Sequence, residues 1–188
     1  MNEGSRQAGG LPGDLFIHSY SGEAMNERRR QAGGSGVSPE ISLSIPTLVT
    51  VGAVNWKGVW GDKSANLEKM KAKIREAARL GIDMLCFPEL ALTGYECSDE
   101  ASSRQGPCAL HAEGAETIPG PSTKEIAGLA RELGIYVILG MPERDASDPR
   151  TLYISAAVVG PEGILGSYRK LHLATPPTWT EYYCFKPG

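Results

Sequence analysis

Three side chains in this 188-residue sequence have the types and placement that hydrolysis of an amide requires: Glu89, Lys170 and Glu181. Glu89 follows Pro88 directly after the apolar run Ile82 to Phe87. That places it at the C-terminal end of a strand, where open α/β sheets put ligands and reacting groups. A carboxylate there is either a solvated loop charge or, where a site desolvates it, a general base. Lys170 ends a later strand, within Tyr168, Arg169, Lys170, Leu171, His172. It is either a solvated strand end or a cation held to stabilise a developing oxyanion. Glu181 lies in the aromatic-rich stretch from Thr180 to Gly188, which either walls a pocket or covers an edge. Each residue is ambiguous alone. Together they supply a base, a cation and a second carboxylate.

The elements that must position them begin near residue 47. Leu48 to Val54 is apolar and β-branched, a first strand. A helix is expected from Asp62 or Ser64 to Leu80, with Leu67, Met70, Ile74 and Ala77 on one face and Gly81 as its stop. Ile82 to Phe87 is the second strand. Pro121, Ser122 and Glu125 read as a capping box opening a second helix, with Ile126, Leu129, Ala130 and Leu133 as its apolar face. Ile135 to Met141 forms a third strand, and Leu152 to Val159 with Ile164 to Tyr168 form a hairpin about Gly160 to Gly163. The result is an α/β domain with a mixed sheet and two main helices on one face. The runs IDMLCF, YVILGM and ISAAVV are apolar on both sides of the pleat, so both sheet faces call for cover. Two helices cover only one. A second molecule, or more of the same protein, is expected on the other.

Residues 1–36 hold 8 of the 23 glycines with almost no apolar periodicity. Residues 1–44 are therefore expected to be a disordered Gly-rich tail, with 45–188 as the single domain. On that expectation, deleting residues 1–40 leaves the thermal midpoint nearly unchanged. The decapeptide MNEGSRQAGG recurs as MNERRRQAGG, one imperfect copy and no solenoid. A formal net charge of −3 with no concentrated basic face argues against a nucleic-acid partner. No apolar run is long enough for a membrane span or a signal-peptide core, so a cytoplasmic protein is expected. The cysteines at 86, 97, 108 and 184 lack metal-ligand spacing, so no metal is expected. Cys97 and Cys108 could close a loop disulfide, but the thiols are expected to stay reduced in the cytosol. Val51 to Lys57 contains no G-x-G-x-x-G turn, so no dinucleotide cofactor is expected.

The segments GIDMLCFPELALTGYE and GILGSYRKLHLATPPTWTEYYCFKPG resemble two signature regions of the nitrilase superfamily, the carbon-nitrogen hydrolases. The resemblance covers residues 47–188. It implies the N-terminal half of an α-β-β-α sandwich and a Cys-Glu-Lys mechanism with no cofactor, in which a thiolate attacks an amide or nitrile carbon. Glu89 would be the general base and Lys170 would stabilise the tetrahedral intermediate. Glu181, in the pattern E-x-x-x-F-x-P-G, would be the second glutamate that many amidase branches use for positioning. The motifs look like those of aliphatic amidases and N-carbamoyl amide hydrolases, so the implied substrate is a small linear amide or carbamoyl compound. The full-length protein would be a homo-oligomer. Ile154 departs from the Asn often found there in relatives, with an expected consequence for packing.

The resemblance places the nucleophilic cysteine on a strand-to-helix elbow some tens of residues past the lysine, beyond Gly188. Cys184 has no elbow around it, Cys86 is expected to be a buried strand residue, and Cys97 and Cys108 to be structural. The expectation is therefore the N-terminal part of an amidase, inactive alone. The alternative is a non-catalytic interaction module of the same fold. A glutaminase domain feeding a fused synthetase would need a large C-terminal extension.

Overall fold

The computed structural model describes residues 15–21, 48–95, 109–174 and 181–188. Strand-forming segments rich in β-branched and apolar residues give β1 (Leu15–Ser21), β2 (Leu48–Val54), β3 (Met84–Cys86), β4 (Tyr136–Arg144), β5 (Leu152–Gly160) and β6 (Gly163–Arg169). They form one sheet in sequential order. The pairs β2/β3 and β3/β4 are parallel, and β1/β2, β4/β5 and β5/β6 are antiparallel. The helices are α1 (Lys63–Arg79), α2 (Ala109–Gly114), α3 (Pro121–Leu133) and α4 (Glu181–Cys184). None among the described residues is long and apolar enough to cross a membrane.

Helix α1 starts where the Asp62 carboxylate accepts the Ala65 N–H at 2.9 Å, and it ends at Leu80, before the left-handed Gly81 (φ 72°). Its stripe of Met70, Ile74 and Ala77 is fully buried, and α3 buries Ile126 and Ala130. They pack on the sheet residues Leu85, Val137, Leu139, Ala157 and Val159 in one core, where each fully buried Leu, Ile or Met contributes about 1.5–3 kcal/mol. Lys71 of α1 bridges Glu68 and Glu125, tying the two helices together at the surface.

The start of α3 differs from the Ser122/Glu125 capping box read from the sequence. Gly120 is the N-cap, and its N–H donates to the Thr123 hydroxyl at 2.8 Å. The carboxylate at this helix start comes from outside the helix. Glu116, 6% exposed, accepts the Ser122 N–H and hydroxyl at 2.8 and 2.9 Å and pairs with Lys63 at 2.8 Å. Glu125 is thereby released to Lys71.

The sheet is asymmetric. The residues alternating with the helix-facing set, among them Val51, Met84, Cys86, Ile138, Ala156 and Val158, are only half-buried, and Tyr168 beside them is 60% exposed. Both main helices lie on one side, as the sequence predicts, and among the described residues no helix covers the apolar opposite side.

The expected tail is corrected in one part. LFIHSYS, inside the Gly-rich segment, is strand β1 and pairs along its full length with β2, from Leu15 opposite Val54 to Ser21 opposite Leu48. Leu15 is buried at 6% and Ile17 packs on the core. Seven residues of strand-favouring type outweigh the average composition of a long window. The rest of residues 1–44, both decapeptides included, lies outside the described residues. Deleting residues 1–21 is therefore expected to lower the thermal midpoint by several degrees and bare the edge of β2. An unchanged midpoint in a melt followed by circular dichroism would refute the β1 pairing.

Candidate active site

Glu89 is placed by the turn that ends β3. The Phe87 N–H donates to the Ile138 carbonyl at 2.9 Å, carrying the ladder one residue further, and the buried Phe87 ring meets Trp56 edge-on at 5.4 Å. Gly140 on β4 lets the next two residues lie flat on the open sheet face. A Cβ there would run into the Pro88 carbonyl oxygen and come within 2.9 Å of the Glu89 Cα. Leu90 then adopts a left-handed backbone (φ 52°), unusual for a branched residue, while its side chain is 1% exposed. The turn closes with Gly94 N–H donating to the Leu90 carbonyl at 2.9 Å and Leu92 N–H to the Gly140 carbonyl at 3.2 Å.

Lys170 directly follows β6. Its N–H donates to the Ile154 carbonyl at 2.8 Å, and its carbonyl accepts the Gly188 N–H at 2.9 Å. The strand end is clamped by its neighbour. Arg169 donates from Nε to the buried Glu143 at 3.1 Å, from Nη2 to Glu143 at 2.5 Å and to Asp145 at 3.2 Å, and stacks on Tyr153 at 3.8 Å. Ser155 donates its hydroxyl to the second Glu143 oxygen at 2.5 Å. This network binds the ends of β4, β5 and β6 together. Glu181 opens α4, whose C-terminal neighbour Phe185 is buried with Leu90, Leu152 and Ile154 in a second small core.

These elements bring all three sequence-derived residues together on one ammonium group. Lys170 Nζ lies 2.9 and 3.2 Å from the two oxygens of Glu89 and 2.9 and 3.0 Å from those of Glu181. The two carboxylates differ in surroundings. Glu181 is 2% exposed, and it also accepts the Ala174 N–H and the Tyr95 hydroxyl, each at 2.8 Å. Burial pushes its carboxyl up, but the Ala174 N–H, Lys170 and Tyr95 outweigh that and hold it below the usual glutamate value. Glu89 is 36% exposed at its side chain and meets Lys170. Desolvation pulls the Lys170 ammonium down, yet hydrogen bonds and charge from Glu181 and Glu89 raise it above the ordinary lysine value, so it stays a cation. The set carries one net negative charge.

Glu89 opens onto a cleft of about 490 Å³ walled by Trp56, Trp60 and Tyr95. On the open sheet face it also borders, with Lys170, Gly140, Ala156 and Tyr168, a hollow of about 210 Å³. A fixed cation beside a half-exposed carboxylate suits stabilisation of a developing oxyanion and general-base work. Among the described residues no group of three His, Cys, Asp or Glu side chains is arranged to hold a metal ion. Burial pushes the Cys86 thiol up, the opposite of activation. Cys184 is disulfide-bonded, which corrects the expectation that the thiols stay reduced. Cys97 and Cys108 lie outside the described residues.

Beneath the site, His111 of α2 is 2% exposed, its Nδ1 3.2 Å from the Thr93 hydroxyl and its ring against Trp60 and Phe185 at 5.0 and 5.3 Å. Sequence reasoning missed His111, Gly140 and the Glu143 clamp. Their partners are distant in sequence, and no local pattern marks them.

The carbon-nitrogen hydrolase family profile matches residues 48–188. A nitrilase from Pyrococcus abyssi is 36% identical over 126 residues, 65% of this chain and 42% of that protein. An omega-amidase from Homo sapiens is 39% identical over 113 residues, 59% of this chain and 36% of its own length. Among solved structures, an amidase from Nesterenkonia sp. superposes with a TM-score of 0.55 at 24% identity, covering 73% of this chain and 47% of that one. Other structures of that amidase hold butyramide in a variant, or an acetamide moiety added covalently at the active-site cysteine. The chain thus spans about two-fifths of the length of the curated relatives it matches.

Two outcomes follow from this geometry. Gly140→Ala should force the Pro88–Glu89 backbone away, destabilise the fold by roughly 1–3 kcal/mol in denaturant unfolding, and separate Glu89 from Lys170. Wild-type stability in that variant would contradict the close approach. Burial holds His111 down at about 4, so it is neutral in the folded state. An unfolded histidine titrates near 6.5, so the unfolded chain alone gains this proton as pH falls from about 6.5 to 4, and about 3 kcal/mol of stability is lost across that window. Above it the contribution is fully present. Unfolding series at pH 7, 5.5 and 4.5 should show that slope in the native chain and its loss in His111→Gln; equal slopes would exclude His111 as its source.

Proposed function

The chain belongs to the carbon-nitrogen hydrolase family, and on that premise we propose that it forms the base-and-cation half of an amidase active site. The observation that carries this reading is the Lys170 ammonium shared between a donor-saturated Glu181 and a half-exposed Glu89. The thiol nucleophile comes from the part of the protein beyond residue 188, in this reading. It is supported by the free cysteine Cys86, whose thiol is deactivated by burial, and by the disulfide at Cys184. The hollow beside Glu89 and Lys170 on the open sheet face offers that thiol a place.

The substrate is a small linear amide or N-carbamoyl compound, in keeping with the butyramide bound by the Nesterenkonia amidase. Glu89 takes the thiol proton as sulfur bonds to the amide carbon, and the carbonyl π pair moves to oxygen, where Lys170 balances the charge. The C–N bond then breaks, and Glu89 returns the proton to nitrogen so that ammonia leaves. A water, deprotonated by Glu89, attacks the thioester and releases the acid and the thiol. Glu181 accepts no proton in this cycle. Its four donor contacts keep it an anion that fixes Lys170. The proposal extends to a homo-oligomeric, cytoplasmic full-length protein acting without nucleic acid or membrane.

A second reading, a non-catalytic module of the same fold, draws on the same open face, whose half-buried Val51, Met84 and Ile138 would meet a partner. The two separate in an assay of ammonia release from butyramide. The full-length protein is expected to turn over, the 188-residue chain alone to be inactive, Glu89→Gln to cut kcat by about a thousandfold or more while folding normally, and Lys170→Ala to cut it as far while also lowering stability, because it leaves the buried Glu181 without its cation. Turnover undiminished in either variant would sink the catalytic assignment.

A further inference from the structure

The buried Glu181 depends on three donors, drawn from two distant parts of the chain. One is the Ala174 N–H in the segment after β6, one is Lys170, and the third is the hydroxyl of Tyr95, 86 residues away in sequence. Tyr95 stands at the end of the turn that carries Glu89. It is 39% exposed, and its side chain lines the same cleft as Glu89. The turn that presents it is pinned on both sides. Gly94 has a left-handed backbone (φ 82°) and donates to the Leu90 carbonyl, while the neighbouring Thr93 carbonyl accepts the Gly61 N–H at 2.9 Å. A Cβ on Gly94 would come within 3.3 Å of the Trp60 Cα. The hydroxyl is therefore delivered from a fixed backbone.

Its position has an electrostatic consequence. Lys170 stands between two carboxylates, and an ammonium moves toward whichever is less satisfied by other donors. Glu181 Oε1 accepts the Tyr95 hydroxyl at 2.8 Å beside Lys170 at 3.0 Å. With that hydroxyl removed, Oε1 would keep the ammonium at 3.0 Å, in a site where the anion is 2% exposed. Lys170 would be drawn onto Glu181 and away from Glu89.

We propose that Tyr95 is a positioning residue: its hydroxyl satisfies Glu181 so that the Lys170 ammonium stays shared with Glu89. The role rests on the amidase reading of these three residues, while the hydrogen bond behind it can be measured without substrate. Tyr95→Phe keeps the ring that walls the cleft and removes one O–H.

Two arms test it. In the 188-residue chain carrying carboxyl-labelled glutamate, a carbon-13 NMR titration reads Glu181 directly, assigned by its loss in Glu181→Gln. Tyr95→Phe is expected to raise the Glu181 midpoint by about one pH unit with the amide spectrum otherwise preserved. In the full-length protein with butyramide, the same variant is expected to lose roughly 10- to 100-fold in kcat with KM nearly unchanged, and the double variant with Glu181→Gln to be no slower than Glu181→Gln alone. An unmoved Glu181 midpoint overturns the proposal and leaves the amidase reading standing. So does a moved midpoint with unchanged kcat. An unsubstituted full-length protein that releases no ammonia overturns the amidase reading, and the positioning role with it.

Discussion

The arrangement turns on a single charge constraint: Glu181 is almost fully buried, and a buried carboxylate is tolerated only when donors compensate for the water it has lost. Meeting that need ties the end of β6, the segment around Ala174, the turn after β3 and the C-terminal helix to one point in space. The ammonium that answers the constraint is also the group that reaches Glu89. One atom, Lys170 Nζ, therefore compensates the buried carboxylate and reaches the exposed one, and the Arg169–Glu143–Ser155 network next to it keeps the strand ends from drifting apart.

The same logic separates the two glutamates. Side chains of identical chemistry meet different surroundings, one buried, saturated with donors and held as an anion, the other half-exposed beside the shared ammonium. A close backbone approach enforces the difference. Glycine at 140 lets the Pro88–Glu89 segment lie on the sheet, and the left-handed Leu90 turns the chain back before it can run out into solvent. The left-handed backbone beside Glu89 is held here by the burial of the Leu90 side chain.

Much of this was legible in the sequence. The periodicity of Met70, Ile74 and Ala77 and the stop at Gly81 locate α1 to within a residue, and strand ends locate Glu89 and Lys170. The excess of apolar strand surface over helices predicts the open face. Glu181 was legible only through its motif, because nothing local shows that an aromatic-rich stretch folds back onto a lysine 11 residues earlier. Where sequence reasoning failed, the deciding partner was distant. Glu116 supplies the carboxylate at the start of α3 in place of the local Ser122/Glu125 pair. Gly140 is glycine because of a residue 52 positions before it. LFIHSYS was lost in the average of a glycine-rich window.

That strand also lies outside residues 48–188, the span that matches the family. Its effect concerns self-association more than catalysis. A free β2 edge would present a row of unpaired N–H and C=O groups, a template onto which a neighbouring chain could add. By laying β1 along the whole of β2, the chain pairs that edge with its own backbone and moves the open edge of the sheet out to a seven-residue strand.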